Sequence, residues 1–399
     1  MLHWLRPVAR VSKTLGVDVT PRFVLVCGLN MNPTELRQRC HTFFSGEKPT
    51  TAAEDFAAMA RFCEANDIAH DAYGEGALVQ DFERKIADLL GFEKAVFCIT
   101  GTMVQSVALR LACEAAGSKT VALHPTAHVL LHERSNHQLL DHFKSLHVGD
   151  PFRTWTVADL QAWPDRIGAT LYELPMREIG GQLPDWAELE ALKAYCRQRN
   201  IHLHMDGARL WEASAGYKRS LKEIAQGFDS VYVSFYKGIG AHAGAMLLGS
   251  ADFIAKADTW MKRMGGNVYR RSPYVVSAAM RFEERLAKMP AYLERTERLY
   301  DVLRDFPQLQ VNPARPHVNM LHVYFPVGRE RLTAIRNELA EEHGIWLFGG
   351  AKHAALPDQS SIEWYVGEGL STLSDARVRE ILTLVMRKLA SPAGPAVSA

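Results

Sequence analysis

The stretch Ile201–Ser250 decides how this chain is read. It opens as IHLHMDGARLWEAS (Ile201–Ser214) and closes as FDSVYVSFYKGIGAHAGAMLLGS (Phe228–Ser250). Two short apolar strands stand out, one through Ile201, Leu203 and Met205, the other from Ser230 to Phe235. Each delivers one charged residue at its end: Asp206 ahead of Gly207-Ala208-Arg209, and Lys237 ahead of Gly238, Gly240 and Gly244. Open parallel sheets hold ligands beyond the carboxyl ends of their strands, so Asp206 and Lys237 can face one ligand. A lysine among glycines and apolar residues is poorly hydrated, which lowers its pKa and makes its amine a usable nucleophile. Taken singly, Asp206 also reads as a helix cap and Lys237 as a surface lysine, so the rest of the chain has to decide.

Outward from that stretch, strands and helices alternate. Strands are expected over Ala95–Ile99, Thr120–Leu123, Ser145–Val148 and Ala169–Leu174. Helices are expected over Ala52–Ala65, over Ala77–Leu90 with Leu78, Phe82, Ile86 and Leu89 on one face, and over Trp186–Arg199. This order predicts right-handed crossovers and an α/β domain with a mainly parallel sheet. Thr100-Gly101-Thr102 lies between a strand and a helix whose inner face carries Val104, Val107, Ala108 and Leu111. Free amides, hydroxyls and the positive end of the helix dipole at such a junction favour a phosphate-like anion.

The texture changes after Lys262-Arg263-Met264-Gly265-Gly266-Asn267, where two helices are expected, Tyr274–Met289 and Ala291–Phe306. A smaller α+β unit follows: strands Met320–Phe325, Gly344–Phe348 and Ser361–Val366, with helices Arg329–Glu342 and Ser374–Leu389. The expected organisation is therefore an amino-terminal arm (1–45), a large α/β domain (46–306), a small α+β domain (307–390) and a disordered tail (391–399) rich in Pro, Ala and Ser. Within the arm, Phe23–Cys27 reads as a short strand or core segment, and Asn32-Pro33-Thr34-Glu35 opens a helix.

With 399 residues, 47% hydrophobic and 23% charged, and a net charge of +1, the composition is that of a globular protein and points to neither nucleic acid nor membrane. Six scattered cysteines without a CxxC pair predict no disulfide framework and no zinc site, and fit a reducing cytoplasm. Arg6, Arg10 and Lys13 sit in an acid-free amino terminus that weakly resembles a targeting segment; a surface arm is the preferred reading. His124, His128 and His132 stand four apart, but Pro125 interrupts the helical spacing, so no metal is expected.

These residues resemble the cofactor site of pyridoxal-phosphate (PLP) enzymes of fold type I, the aspartate-aminotransferase fold. Within that group the chain is similar to the threonine aldolase and β-eliminating lyase family. The densest likenesses are AYGEGALVQDFERKIADLLG (Ala72–Gly91), ITGTMVQSVAL (Ile99–Leu109), HPTAHVLLHE (His124–Glu133), HMDGARL (His204–Leu210) and SFYKGIGAHAG (Ser234–Gly244). The resemblance implies PLP held by Lys237 as a Schiff base and by Asp206 at the pyridinium nitrogen, with Thr100, Gly101 and Thr102 on the phosphate. It implies His128 stacked on the cofactor ring and handling a substrate proton, and Glu133, Ser45 and Tyr73 lining the pocket. Arg209 would reach the substrate carboxylate, and Lys262 would approach the neighbouring subunit's site in a homodimer or homotetramer.

The expected reaction is retro-aldol cleavage of a β-hydroxy-α-amino acid to glycine and an aldehyde. β-Elimination on a cysteine- or serine-type substrate is the close alternative, and a PLP-fold protein with an altered pocket or a binding role is a third. The departures concern the substrate side. Where the family carries an arginine for the substrate carboxylate, Ser361-Ile362-Glu363-Trp364-Tyr365-Val366 places Glu363, a like charge that should repel it. Arg270 and Arg315 are the candidates to replace that arginine. The residue before the lysine, small and hydroxylic in the family, is Tyr236, and the family's amino-terminal Arg-Ser-Asp-Thr-Val-Thr is replaced by Phe44-Ser45-Gly46-Glu47-Lys48-Pro49.

Overall fold

The computed structural model describes residues 32–391. The segment Phe23–Cys27, the basic residues Arg6, Arg10 and Lys13, and all of the expected tail but Ser391 lie outside them. Seven strands build the large sheet, in the spatial order Lys94–Cys98, Ala245–Gly249, Ser230–Ser234, His202–Gly207, Ala169–Glu173, Thr120–Leu123 and Lys144–His147. Ala245–Gly249 runs antiparallel to both neighbours and the remaining pairs are parallel. That reversed strand was not expected from the sequence. Its five residues are all buried, so it carries no alternation to separate it from the glycine-rich turn before it.

Helices cover the sheet because their apolar stripes need a partner. Gly101–Ala116 buries Val104, Val107, Ala108 and Leu111, as its spacing predicts. Ala77–Leu90 buries Val79, Phe82, Ile86, Ala87 and Leu90, while Leu78 and Leu89 pack at the margin, so its inward face is turned slightly from the expected one. Ala52–Ala65 begins at a capping box, with Thr51 Oγ1 accepting from Glu54 N and Glu54 Oε2 accepting from Thr51 N.

A single helix, Ser272–Leu303, replaces the two expected on either side of Pro290. An interior proline costs roughly 3 kcal/mol in lost hydrogen bonding and steric conflict. Packing at both ends offsets it: Phe282, Met289 and Tyr292 belong to the core of the large unit, and Leu299, Val302 and Leu303 to that of the small one.

The small unit is an antiparallel sheet in the order Ala351–His353, Ser360–Tyr365, Met320–Phe325 and Gln310–Asn312. Helices Arg329–His343 and Asp375–Ala390 close its core around Leu321, Val323, Ile335, Trp364 and Leu382. Residues 33–43, read from sequence as part of an arm, pack on this unit. Thr42–Phe43 pairs in parallel with Ile345–Trp346, and Leu36, Cys40 and Phe43 bury against Ala340 and Trp346. Among the described residues no helix is long and apolar enough to cross a membrane.

Candidate active site

Three neighbouring strands end at the same edge of the large sheet. Glu173 and Asp206 are register partners on adjacent strands, and Asp206 is in turn opposite Tyr232. Asp206 is 2% exposed, and its Oδ1 accepts from the backbone of Ala208 at 3.1 Å. Glu173 escaped the sequence reading because a carboxylate inside an apolar strand carries no motif. Burial, and then the charge of Asp206 beside it, push its carboxyl upward.

Lys237 follows the third of these strands. Its turn is held by Gly240 N donating to Lys237 O (3.0 Å) and Ala241 N donating to Phe235 O (2.8 Å). Burial, and then the Arg209 guanidinium, lower the Lys237 amine from 10.5 to about 8, against the opposing pull of Asp206 and Glu173. A free amine is therefore available near neutral pH. Behind it, a Cβ on Gly238 would lie 2.5 Å from Glu212 Oε1 and 3.0 Å from the Tyr365 hydroxyl, so the backbone approaches these groups as only glycine permits.

Thr100 precedes the helix Gly101–Ala116 without capping it through its side chain, leaving first-turn amides to an outside acceptor. A Cβ on Gly101 would fall 2.1 Å from the Tyr232 hydroxyl, whose ring comes from the strand beside Asp206. The start of this helix is thereby seated directly on the strand ends.

A third wall is the short helix His128–Leu131 and the residues after it. His128 Nδ1 lies 3.1 Å from Glu133 Oε1, and the Glu133 side chain is 1% exposed while that of His128 is 31% exposed. Asn136 Nδ2 donates to Glu133 Oε2 (3.3 Å) and Ser106 Oγ (2.9 Å), fixing the carboxylate from behind. With its Nδ1 proton directed at Glu133, the imidazole leaves Nε2 and one ring face free. His124 is instead occupied by Thr126 Oγ1 and by the Asp150 carbonyl, and His132 by Glu178.

The fourth wall overturns the expectation that Glu363 stands as a bare repulsive charge. Glu363 Oε2 accepts from Arg177 Nε at 2.7 Å, and its Oε1 lies 3.9 Å from Arg209 Nη2. Burial would raise its carboxyl, but His322, Arg209 and Arg177 together hold it well below the usual carboxylate range. Neither Arg270, which donates to the Asp71 carbonyl, nor the exposed Arg315 pairs with it. Arg177, on the short turn Arg177–Ile179 that follows Glu173, was missed because its partner lies 186 residues away in sequence.

This arrangement offers an amine of lowered pKa, buried carboxylates, a helix start without a side-chain cap and an oriented imidazole. Residues 50–325 match the family described as beta-eliminating lyase. The chain belongs to that family. Within it, a Listeria monocytogenes protein assigned as an L-allo-threonine aldolase is similar over 90% of this chain and 98% of its own, at 36% identity and a TM-score of 0.81. A protein of Exiguobacterium sp. 255-15, assigned as an aromatic amino acid beta-eliminating lyase/threonine aldolase, gives 35% identity and a TM-score of 0.83 over 89% of this chain and 99% of its own. Low-specificity L-threonine aldolase 1 of Arabidopsis thaliana is 28% identical across 76% of this chain and 86% of its own length.

Three further residues that the family likeness singled out occupy the periphery. Tyr73 is 52% exposed, adopts a left-handed φ of 55°, and donates its amide to the Tyr269 carbonyl at 2.8 Å. Ser45 Oγ accepts from Tyr365 N at 3.1 Å, tying it to the strand that carries Glu363. Lys262 pairs with Asp258 one helical turn earlier at 2.7 Å; among the described residues it has no ion-pair contact with the other walls of this beta-eliminating lyase site.

Proposed function

We propose that this protein is a PLP-dependent lyase of the threonine aldolase type, cleaving a β-hydroxy-α-amino acid to glycine and an aldehyde. The observation that carries the reading is the Lys237 amine, lowered to about 8 beside Arg209, Asp206 and Glu173, with Glu173 also feeling the charge of His128. The residues present fit the cofactor. Asp206 offers a buried carboxylate to a protonated ring nitrogen. Thr100, Gly101 and Thr102 offer hydroxyls and uncapped amides to a phosphate at the start of a 16-residue helix. The Arg209 Nε, buried with no partner, calls for an anion.

Bound PLP supplies the electron sink for the bond broken at the substrate's α-carbon. The chain's own residues do the rest. Lys237 would hold the cofactor through its amine. His128 accepts the β-hydroxyl proton at Nε2, and Glu133 is a positioning residue that keeps Nδ1 protonated and the ring aimed. Arg209 takes the α-carboxylate. Ser45 retains its own hydroxyl proton to donate, and Tyr73 closes the mouth of the pocket.

We further infer a cytoplasmic enzyme, since the five cysteines described are free, working as a homodimer or a pair of dimers. Tyr73 and Tyr269 present exposed rings 5.2 Å apart that a second copy would cover, and Lys262 would approach that copy's site. Sedimentation showing only monomer overturns that assembly.

The experiment that tests the function compares purified protein with Lys237→Ala. The expected outcome is a visible cofactor band that the variant loses, and glycine plus an aldehyde released from threonine-type substrates. Release of a keto acid and ammonia from serine or cysteine would assign β-elimination instead. A cofactor band that no amino acid perturbs would leave a binding protein.

A further inference from the structure

The fourth wall contains more charge than an arginine for one carboxylate requires. Arg177, Arg209 and Lys352 meet two carboxylates, Glu363 and Glu178, leaving one positive charge over. Arg177 is engaged through two nitrogens: its Nε donates to Glu363 at 2.7 Å and its Nη1 to Glu178 at 3.0 Å. Glu178 Oε2 accepts from Lys352 at 2.7 Å, while its Oε1 is shared between Arg177 and His132, the latter at 2.8 Å. Arg209 is the opposite case, since its guanidinium makes no side-chain hydrogen bond among the described residues and its Nε is buried without a partner. Its one ion-pair contact there is Glu363 Oε1, at 3.9 Å, too long for a hydrogen bond.

We propose that Arg177 and Glu363 form a built-in counter-ion pair that keeps Arg209 open for one substrate carboxylate and turns away a second. The inference rests on the reading of the site as one that takes α-amino acids. By drawing Glu363 onto its Nε, Arg177 prevents that carboxylate from closing the last ångström onto Arg209. Arg177 is thus a positioning residue, acting through Glu363. Glu363 in turn cancels one of the two guanidinium charges, so the wall attracts a single carboxylate. Once an α-carboxylate occupies Arg209, Glu363 is left with Arg177 as its hydrogen-bonded partner, and its Oε1, which accepts no hydrogen bond among the described residues, repels any further acid on the substrate side chain. The substrates selected are amino acids with neutral or cationic side chains, and dicarboxylic ones are excluded.

Equilibrium titration of the holoenzyme, read as the change in cofactor absorbance, tests this without requiring cleavage. Glycine probes the anchor. Arg177→Ala frees Glu363 to capture Arg209, so glycine binding should weaken by about tenfold or more. Adding Glu363→Gln to that variant should restore binding to within about threefold of wild type, a rescue that loss of mere structural support would not produce. Aspartate against alanine probes the exclusion. Wild type should disfavour aspartate by about tenfold or more, and Glu363→Gln alone should close most of that gap.

An Arg177→Ala variant that binds glycine normally, a double variant no better than the single, or an aspartate gap unmoved by Glu363→Gln would each overturn the proposal. In all three cases the lyase reading would stand. If glycine leaves the wild-type spectrum unchanged, the lyase reading and this inference fall together.

Discussion

The two sides of the pocket are built in contrasting ways. On the large-sheet side, Asp206 and Lys237 sit at the ends of adjacent parallel strands, each fixed by its own short stretch of chain: an amide of Ala208 for one, a glycine turn for the other. On the other side, Glu363 belongs to an antiparallel strand of the small unit and takes its meaning from Arg177 and Arg209 of the large one. The first side is local chemistry repeated in any chain with that motif. The second is a contact between units, and it can change sign while the fold stays the same. Cofactor chemistry on this reading lives on the local side, and substrate choice on the non-local one.

The sharpest way to break that division is at His128, which the local side is expected to aim. His128→Asn should lower kcat by about 100-fold or more, the usual span for losing a general base. Glu133→Gln should cost about tenfold in kcat and leave KM nearly unchanged, because the imidazole remains but its tautomer and aim are no longer fixed. If Glu133→Gln is as damaging as His128→Asn, the carboxylate itself handles a proton.

A smaller effect is expected at the phosphate end. Gly101→Ala would place a methyl carbon 2.1 Å from the Tyr232 hydroxyl and 2.4 Å from its Cζ, both within a packed layer. Relief requires the helix start to lift from the strand ends, and overpacking of this kind costs about 1–3 kcal/mol. Titrating PLP into the apo-protein should therefore show roughly tenfold weaker binding, with secondary structure intact by circular dichroism. Wild-type affinity in this variant would mean that the cofactor does not rest on the loop.

How far the sequence could be read follows the same contrast. Trp186–Arg199, Thr120–Leu123, Ala52–Ala65 and Met320–Phe325 have the bounds expected from sequence, because each is marked by local signals such as the Thr51 capping box or a short apolar run. The break expected at Pro290 failed because tertiary packing on both sides of it outweighs a local propensity. Asp206, Lys237 and the Thr100-Gly101-Thr102 junction were legible as strand-end and helix-start chemistry. Glu173 and Arg177 were not, since a buried carboxylate and an arginine on a turn acquire their roles only when Asp206 and Glu363 are brought alongside. Glu363 was legible as an anomaly, but its neutralisation was not.

The seam between the two sides offers the subtlest test. Glu212 is 1% exposed; burial pushes its carboxyl up to about 7, against the pull of Arg209. The Tyr365 hydroxyl donates to its Oε1 at 2.8 Å, while its Oε2 has no partner, an arrangement suited to a neutral acid joining the large unit to the small one. A carboxyl that titrates near 4.5 when unfolded and near 7 when folded binds more protons in the folded state between those values. Its contribution to stability is therefore complete below about pH 4.5 and is lost as pH rises through about 7. Glu212→Gln copies the protonated form and keeps the Oε1 acceptor for Tyr365. Urea unfolding of the apo-protein should show the variant close to wild type near pH 4.5. At pH 8 it should be more stable by on the order of 2 kcal/mol, with the wild-type decline across that interval flattened. A variant weaker than wild type at both values would mean that Glu212 is charged and serves as a counter-ion to Lys237 and Arg209. The seam would then belong to the catalytic side of the pocket rather than to the join between its units.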